Sequence, residues 1–283
     1  MIVAGYECTE CFVHQVNKVI SIACENKSES EKIEVFKKAM EFLSKIDFNN
    51  SPPEIARMIY QYLYKITENP DPFKELKLKT NKIAEKLAEK IFTKTHSLED
   101  YVKYAIAGNV IDFGVVGNEF DIEKIKNFDL YINHFEEFIK ILNNAKILLY
   151  IVDNSGEIIF DFHLLKRIKN DFSNIKIFIA ARESNIINDI TKNDLIELGY
   201  HNYFNVISTG YSGAGVLLEK CSKEFIDLFN SSDIIISKGQ GNFETLFGED
   251  RVNIFYALKI KCNHVAKATN IPKGSNVFIY NKK

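Results

Sequence analysis

The chain has 283 residues, 46% hydrophobic and 26% charged, a composition that supports one large core or two smaller ones. No apolar run approaches the roughly 18 residues of a membrane span, and the opening MIVAGYECTECF lacks a basic region followed by an apolar signal core, so the expected location is the cytoplasm. With 36 basic and 38 acidic residues the formal net charge is −2, which gives no global electrostatic case for nucleic acid or an anionic membrane; any anion must be met locally.

The chain begins with Cys8-x-x-Cys11, and His14 follows one helical turn after Cys11. That spacing suits an accessory soft metal, although a structural zinc site takes four ligands and no second close Cys or His pair exists in the sequence. Helix packing and redox chemistry are the other readings. The five cysteines, at 8, 11, 24, 221 and 262, are odd in number and mostly scattered, which argues against a secreted disulfide framework.

From about residue 10 to 140 the apolar residues recur at spacings of three and four, as in Phe12, Val16, Val19 and Ile20, or Ile55, Ile59, Tyr62 and Leu63. This is helical periodicity. Ser51, followed by two prolines and Glu54, is a helix start. The lysine- and glutamate-rich stretch from 74 to 92 reads as a helix with a wet face. In AIAGNVIDFGVVGNEFD, Asn109 and Asp112 stand among small apolar residues, as in a partly buried loop turned toward a ligand site. Residues 1–140 are therefore expected to form an α-helical subdomain, and 141–283 a second unit.

The grammar changes at 145. KILLYIVDN, IKIFIAAR, FNVISTG, DIIISKGQGN and NIFYALKI are apolar, β-branched runs, separated by helical stretches such as IIFDFHLLKRIKNDF and AGVLLEKCSKEFIDLF. That alternation predicts a doubly wound α/β unit with a mostly parallel, Rossmann-like sheet. Ligands in such sheets bind beyond the carboxyl ends of the strands, where this chain concentrates its polar residues. After the first run come Asp153, Asn154, Ser155, Gly156 and Glu157, a turn into a helix whose free amides suit an anion and whose oxygens suit a hard divalent cation. Capping by Asp153 or Ser155 is the plainer alternative. Asp189 follows the second run and adds negative charge near the first; Thr191 or Asp194 there also reads as a helix cap. The fourth run ends in Lys238, with Gly239, Gly241, Asn242 and Glu244 after it, a phosphate-binding arrangement without the spacing of a P-loop.

Taken together, CTECF, AGNVIDFG, VDNSGEIIFD, INDIT, SKGQGNFE and the closing KCNHVAKATNIPKGSNVF resemble the damage-control phosphatase family in its compact archaeal-like branch. The resemblance implies a helical subdomain packed on a Rossmann-like domain, and a metal-dependent phosphatase of small phosphometabolites with a role in metabolite repair. It also implies a divalent ion (Mg, Mn, Co, Ni or Fe) held by Asp153, Asn154 and Asp189. Lys238 matches the family's phosphate-binding lysine, and Asn109 and Asp112 match its Gly-Asn-x-x-Asp segment.

The expected chemistry is hydrolysis of a phosphomonoester by an activated water, with an aspartyl-phosphate at Asp153 as the alternative. Asp153, Asn154 and Lys238 are the candidate catalytic residues. Asp112, Glu157 or Glu244 would act as base or support, and Ser155, Gly156, Gly239, Gly241 and Asn242 would line the phosphate site. Two other classes use similar sheets: a methyltransferase binding S-adenosylmethionine, and a non-catalytic module for a phosphometabolite. The Asp-Asn-Ser-Gly turn after the first strand favours metal over the methyltransferase's glycine-rich loop.

Overall fold

The structure is a computed structural model that describes residues 1–94, 96–110, 128–251 and 253–281, with the side chains of 109 and 110 excepted. Among the described residues its first part holds five helices: α1 (Cys8–Ala23), α2 (Glu29–Leu43), α3 (Pro52–Thr67), α4 (Lys74–Ile91) and α5 (Leu98–Val110). Each starts where its sequence allows. Ser28 and Glu31 close a reciprocal capping box on α2, and Pro52 opens α3 at a position whose amide needs no partner. Ser51 occupies the N-cap of α3, yet its hydroxyl makes no capping bond and is buried without a partner. Phe12, Val16, Val19 and Ile20 of α1 meet Ile55, Ile59 and Leu63 of α3 in one apolar cluster. Each such side chain contributes roughly 1.5–3 kcal/mol when buried.

The second part is a seven-stranded sheet: β1 (Ile132–Asn133), β2 (Ile147–Ile151), β3 (Lys176–Ala181), β4 (Asn205–Ser208), β5 (Ile234–Lys238), β6 (Ile254–Lys259) and β7 (Asn276–Tyr280). Their order is β1-β7-β6-β5-β2-β3-β4, and only the β6 to β7 pairing is antiparallel. The short β1 lies upstream of residue 140 and pairs with β7. Six further helices complete the unit: α6 (Phe135–Leu142), α7 (Glu157–Asp171), α8 (Lys192–Glu197), α9 (Lys223–Ser231), α10 (Gln240–Leu246) and α11 (Asn263–Thr269). The long helix expected from 214 to 229 is shorter: a single 3-10 turn at Leu218–Lys220 precedes α9, which Ser222 caps.

Alternation along β2 shows the double winding. Leu148 and Tyr150 face the core shared with α5, α6 and α7, whereas Leu149 and Ile151 face that of α9, α10 and α11. Among the described residues no helix is long and apolar enough to cross a membrane.

Candidate active site

Strand β2 pairs with β3 on one side and β5 on the other, so the chain reverses its winding direction between β2 and β5. The carboxyl ends of those two strands open the crevice in which such sheets bind ligands. Asp153 follows one and Gly239 the other. Gly239 has φ +78°, and a Cβ there would collide with the Asp153 carboxylate, so the side chain of one strand end lies directly on the backbone of the other.

Asp189 joins them from the loop after β3. A two-residue antiparallel bridge pairs Asn154 with Asp189, and the Ile190 amide donates to the Asp153 carbonyl at 2.9 Å. Asp153 and Asp189 are both buried, as is Arg182, which serves both: its Nε donates to Asp189 at 2.8 Å, and its Nη2 stands 3.6 Å from Asp153 Oδ1. Burial pushes the Asp189 carboxyl up, Arg182 opposes this and Asp153 adds to it. Asn154 donates its amide to Asp153 Oδ2 at 2.6 Å.

Helices of the first part brace both loops. Asn81 Oδ1 accepts from the Gly156 amide at 2.6 Å, and the Thr80 and Ser155 hydroxyls bond at 3.1 Å. Lys77 reaches Asn185 and Asp194 at 3.0 Å each, and the Ile187 amide donates to the Tyr64 hydroxyl at 3.1 Å. The Ser155 amide donates to the Asn188 carbonyl at 2.8 Å. Two of the amides expected to meet an anion at the start of α7, those of Ser155 and Gly156, are thus committed to the protein itself. Thr191, with Asp194, caps α8 in a reciprocal box.

Lys238 is fully buried, and its ammonium donates to the Ala105 carbonyl at 2.9 Å, to Asp161 at 2.7 Å and to Glu157. The Tyr150 hydroxyl donates to Asp161 at 2.6 Å. Burial lowers the lysine's pKa, but the Asp161 and Glu157 charges outweigh it and hold Lys238 above its ordinary value. Glu157 is pushed up, by burial first, with Lys238 pulling against it and Asp161 and Asp153 adding to it. Lys238 therefore ties α5, α7 and β5 together. Asp161 and Tyr150, absent from the sequence expectations, complete this cluster; the signal was an acid one helical turn after Glu157.

Asn242 fixes the same junction from α10, donating to the carbonyls of Val152 at 3.1 Å and Lys238 at 2.7 Å and accepting from Arg182 at 2.7 Å. Gly241 packs against the Ala214 carbonyl, so its role in the fold is loop packing. Glu244 accepts from Gln240 at 2.8 Å, and its charge acts on Cys8 and Cys11. Burial is the main cause that raises both of these thiols. Burial pushes Glu244 itself up to about 7, while Gln240 and Lys261 oppose this. Lys261, two residues past the end of β6, also acts on Asp189. Its signal in the sequence is its place directly after the fifth apolar run, which ends at Ile260. Asp112 lies outside the described residues. Asn109 falls in the last turn of α5, next to Gly108, where a Cβ would press on Phe160 and the Glu157 backbone.

The donor set fits a hard cation: two carboxylates and one amide oxygen, all within hydrogen-bonded loops. Among the described residues no three His, Cys, Asp or Glu side chains group as a metal site; this trio includes the Asn154 amide in their place. No such grouping forms at Cys8 and Cys11 either.

Fold and site together define a Rossmann-like α/β enzyme with an acid-rich crevice at its switch point. The chain belongs to the damage-control phosphatases: the family described as Damage-control phosphatase ARMT1-like domain matches residues 4–277. It is 40% identical to a damage-control phosphatase of Pyrococcus horikoshii over 98% of both chains. It is 29% identical to a damage-control phosphatase of Archaeoglobus fulgidus over 79% of this chain and 80% of that one. The crystal structure of a DUF89 family protein from Pyrococcus horikoshii superposes with a TM-score of 0.93 at 37% identity, covering all of both chains. The expected fold and the phosphatase activity are thereby borne out, and the methyltransferase and binding-module alternatives lose their support.

Proposed function

We propose that this phosphatase is metal-dependent and hydrolyses phosphomonoesters of small metabolites, with a divalent ion held by Asp153, Asn154 and Asp189. The observation that carries this reading is the convergence of two buried carboxylates and an amide side chain, from two loops, at the switch point between β2 and β5. An ion bound there supplies Lewis-acid polarisation of a phosphoryl oxygen and a more acidic water.

The remaining work falls to the chain. Asp153 Oδ2 accepts from Asn154 and Oδ1 stands 3.6 Å from the Arg182 Nη2, so neighbouring groups hold this carboxylate in place, which favours attack by water over attack by the carboxylate itself. Lys261, exposed and in electrostatic reach of Asp189, offers a positive charge for the phosphoryl oxygens, where most catalysis of phosphoryl transfer lies. Lys238 holds the start of α7 and the end of β5 in register. Sugar phosphates, phosphopantetheine-type compounds and damaged phosphometabolites are the candidate substrates.

The test is phosphate release from a panel of phosphomonoesters by metal-stripped protein, with Mg²⁺, Mn²⁺, Co²⁺, Ni²⁺ or Fe²⁺ added back and Asp153→Ala run alongside. Metal-dependent release that vanishes in the variant supports the reading. Release indifferent to stripping and to the substitution removes the metal centre from the mechanism.

A further inference from the structure

Arg182 directly follows β3 and is fully buried. Its guanidinium makes three kinds of contact: Nε to Asp189 at 2.8 Å, Nη1 to the Gly215 carbonyl at 3.1 Å and to Asn242 Oδ1 at 2.7 Å, and Nη2 toward Asp153 Oδ1 at 3.6 Å. Nη2 is buried without a hydrogen bond to any described residue. A buried guanidinium that leaves one N–H unused, aimed at a carboxylate just beyond bonding distance, needs an explanation. Two buried carboxylates repel each other strongly in a low dielectric, so Asp153 and Asp189 are held side by side only with a positive charge behind them. Arg182 is that charge, and its planar fork also fixes the direction of each carboxylate in a way a lysine ammonium does not.

We propose that Arg182 is the positioning residue of the metal centre: it orients Asp153 and Asp189 toward a divalent cation, and the Nη2 to Asp153 contact closes when the cation binds. This rests on the metal reading given above. Arg182 does not touch substrate; it acts through the two aspartates, as outer partners of metal ligands do.

The test is Mn²⁺ binding, followed by electron paramagnetic resonance of the free ion, in metal-stripped wild type and Arg182→Lys, with thermal unfolding as the control for folding. The expected result is Mn²⁺ affinity lowered by about 10–100-fold in a folded variant, with turnover lost at limiting Mn²⁺ and regained at saturating Mn²⁺. Wild-type Mn²⁺ affinity in folded Arg182→Lys overturns the proposal and leaves Arg182 a structural brace. Should that variant not fold, Asn242→Ala carries the test by removing one Nη1 acceptor: weaker Mn²⁺ binding supports the proposal and unchanged binding overturns it. Failure of the wild type itself to bind Mn²⁺ overturns the metal reading, and the positioning role with it, before any variant is compared.

Discussion

Lys238 donates to Asp161 across 2.7 Å with neither side chain exposed to solvent. The same ammonium serves Glu157 and the Ala105 carbonyl, so one cation stands against two acids in the interior. Lys238→Met removes the ammonium that pairs with both carboxyls and should destabilise the fold by roughly 3–5 kcal/mol, the usual cost of breaking a buried pair from one side. Lys238→Met combined with Glu157→Gln should recover part of that loss. Urea unfolding midpoints measure both. A variant with unchanged stability and a raised KM would instead assign Lys238 to the substrate phosphate.

Gly239→Ala tests the contact between the two strand ends. The φ of +78° is itself costly for alanine, by roughly 1–3 kcal/mol, and the added Cβ has no room beside the Asp153 carboxylate. Displacing a ligating side chain by even an ångström costs about 10²-fold in rate. Turnover should fall by about that factor, more than the stability change alone explains at a temperature where the variant stays folded. Near-normal kcat in a folded Gly239→Ala would mean that Asp153 need not sit where it does.

The sheet was legible because buried parallel strands are written as β-branched runs and each ends in polar residues. Asp153, Asn154 and Asp189 were legible for the same reason: a polar cluster at a strand end stands out. The braces were not. Thr80, Asn81 and Lys77 look like one more wet face of a lysine-rich helix, because nothing local says which polar residues of α4 turn inward onto loops that follow 75 to 117 positions later. Lys238 was legible only in part. Its place after a strand matches a phosphate lysine, but its partners Glu157 and Asp161 are set by how α7 packs, a long-range fact that strand-end chemistry does not encode.

Asn81→Ala examines how much the helical part contributes to the site. The Gly156 amide is buried beneath the Asn81 side chain, and losing that acceptor leaves it unpaired at a cost of roughly 1–3 kcal/mol. Because Gly156 lies two residues after Asn154, the loop should loosen where the metal is proposed to be held. Weaker Mn²⁺ binding and a modest fall in unfolding temperature are expected together. A stability loss with unchanged Mn²⁺ affinity would make the contact purely structural.

Glu54 on α3 should make stability depend on acid pH. Its buried carboxylate accepts from Arg57 through Nε at 2.7 Å and Nη2 at 2.6 Å, from Lys220 at 2.6 Å, and from the Tyr211 hydroxyl. Burial pushes its pKa up, but these bonds prevail and hold it at about 2, against an ordinary value of 4.5. A depressed carboxylate stabilises the fold fully above its unfolded pKa, and the contribution is lost as pH falls through the folded one. The cluster joins α3 to the segment after β4, so about pH 4.5 down to about 2 is the window in which the helical part should lose its hold on the sheet, by roughly 3 kcal/mol. In Glu54→Gln the acid dependence should flatten: the variant is less stable than wild type at pH 7, and the gap narrows as pH drops toward 2. Urea midpoints of both proteins across that range measure it, and two curves that stay parallel to the lowest pH would show that Glu54 is not held ionised by its three partners.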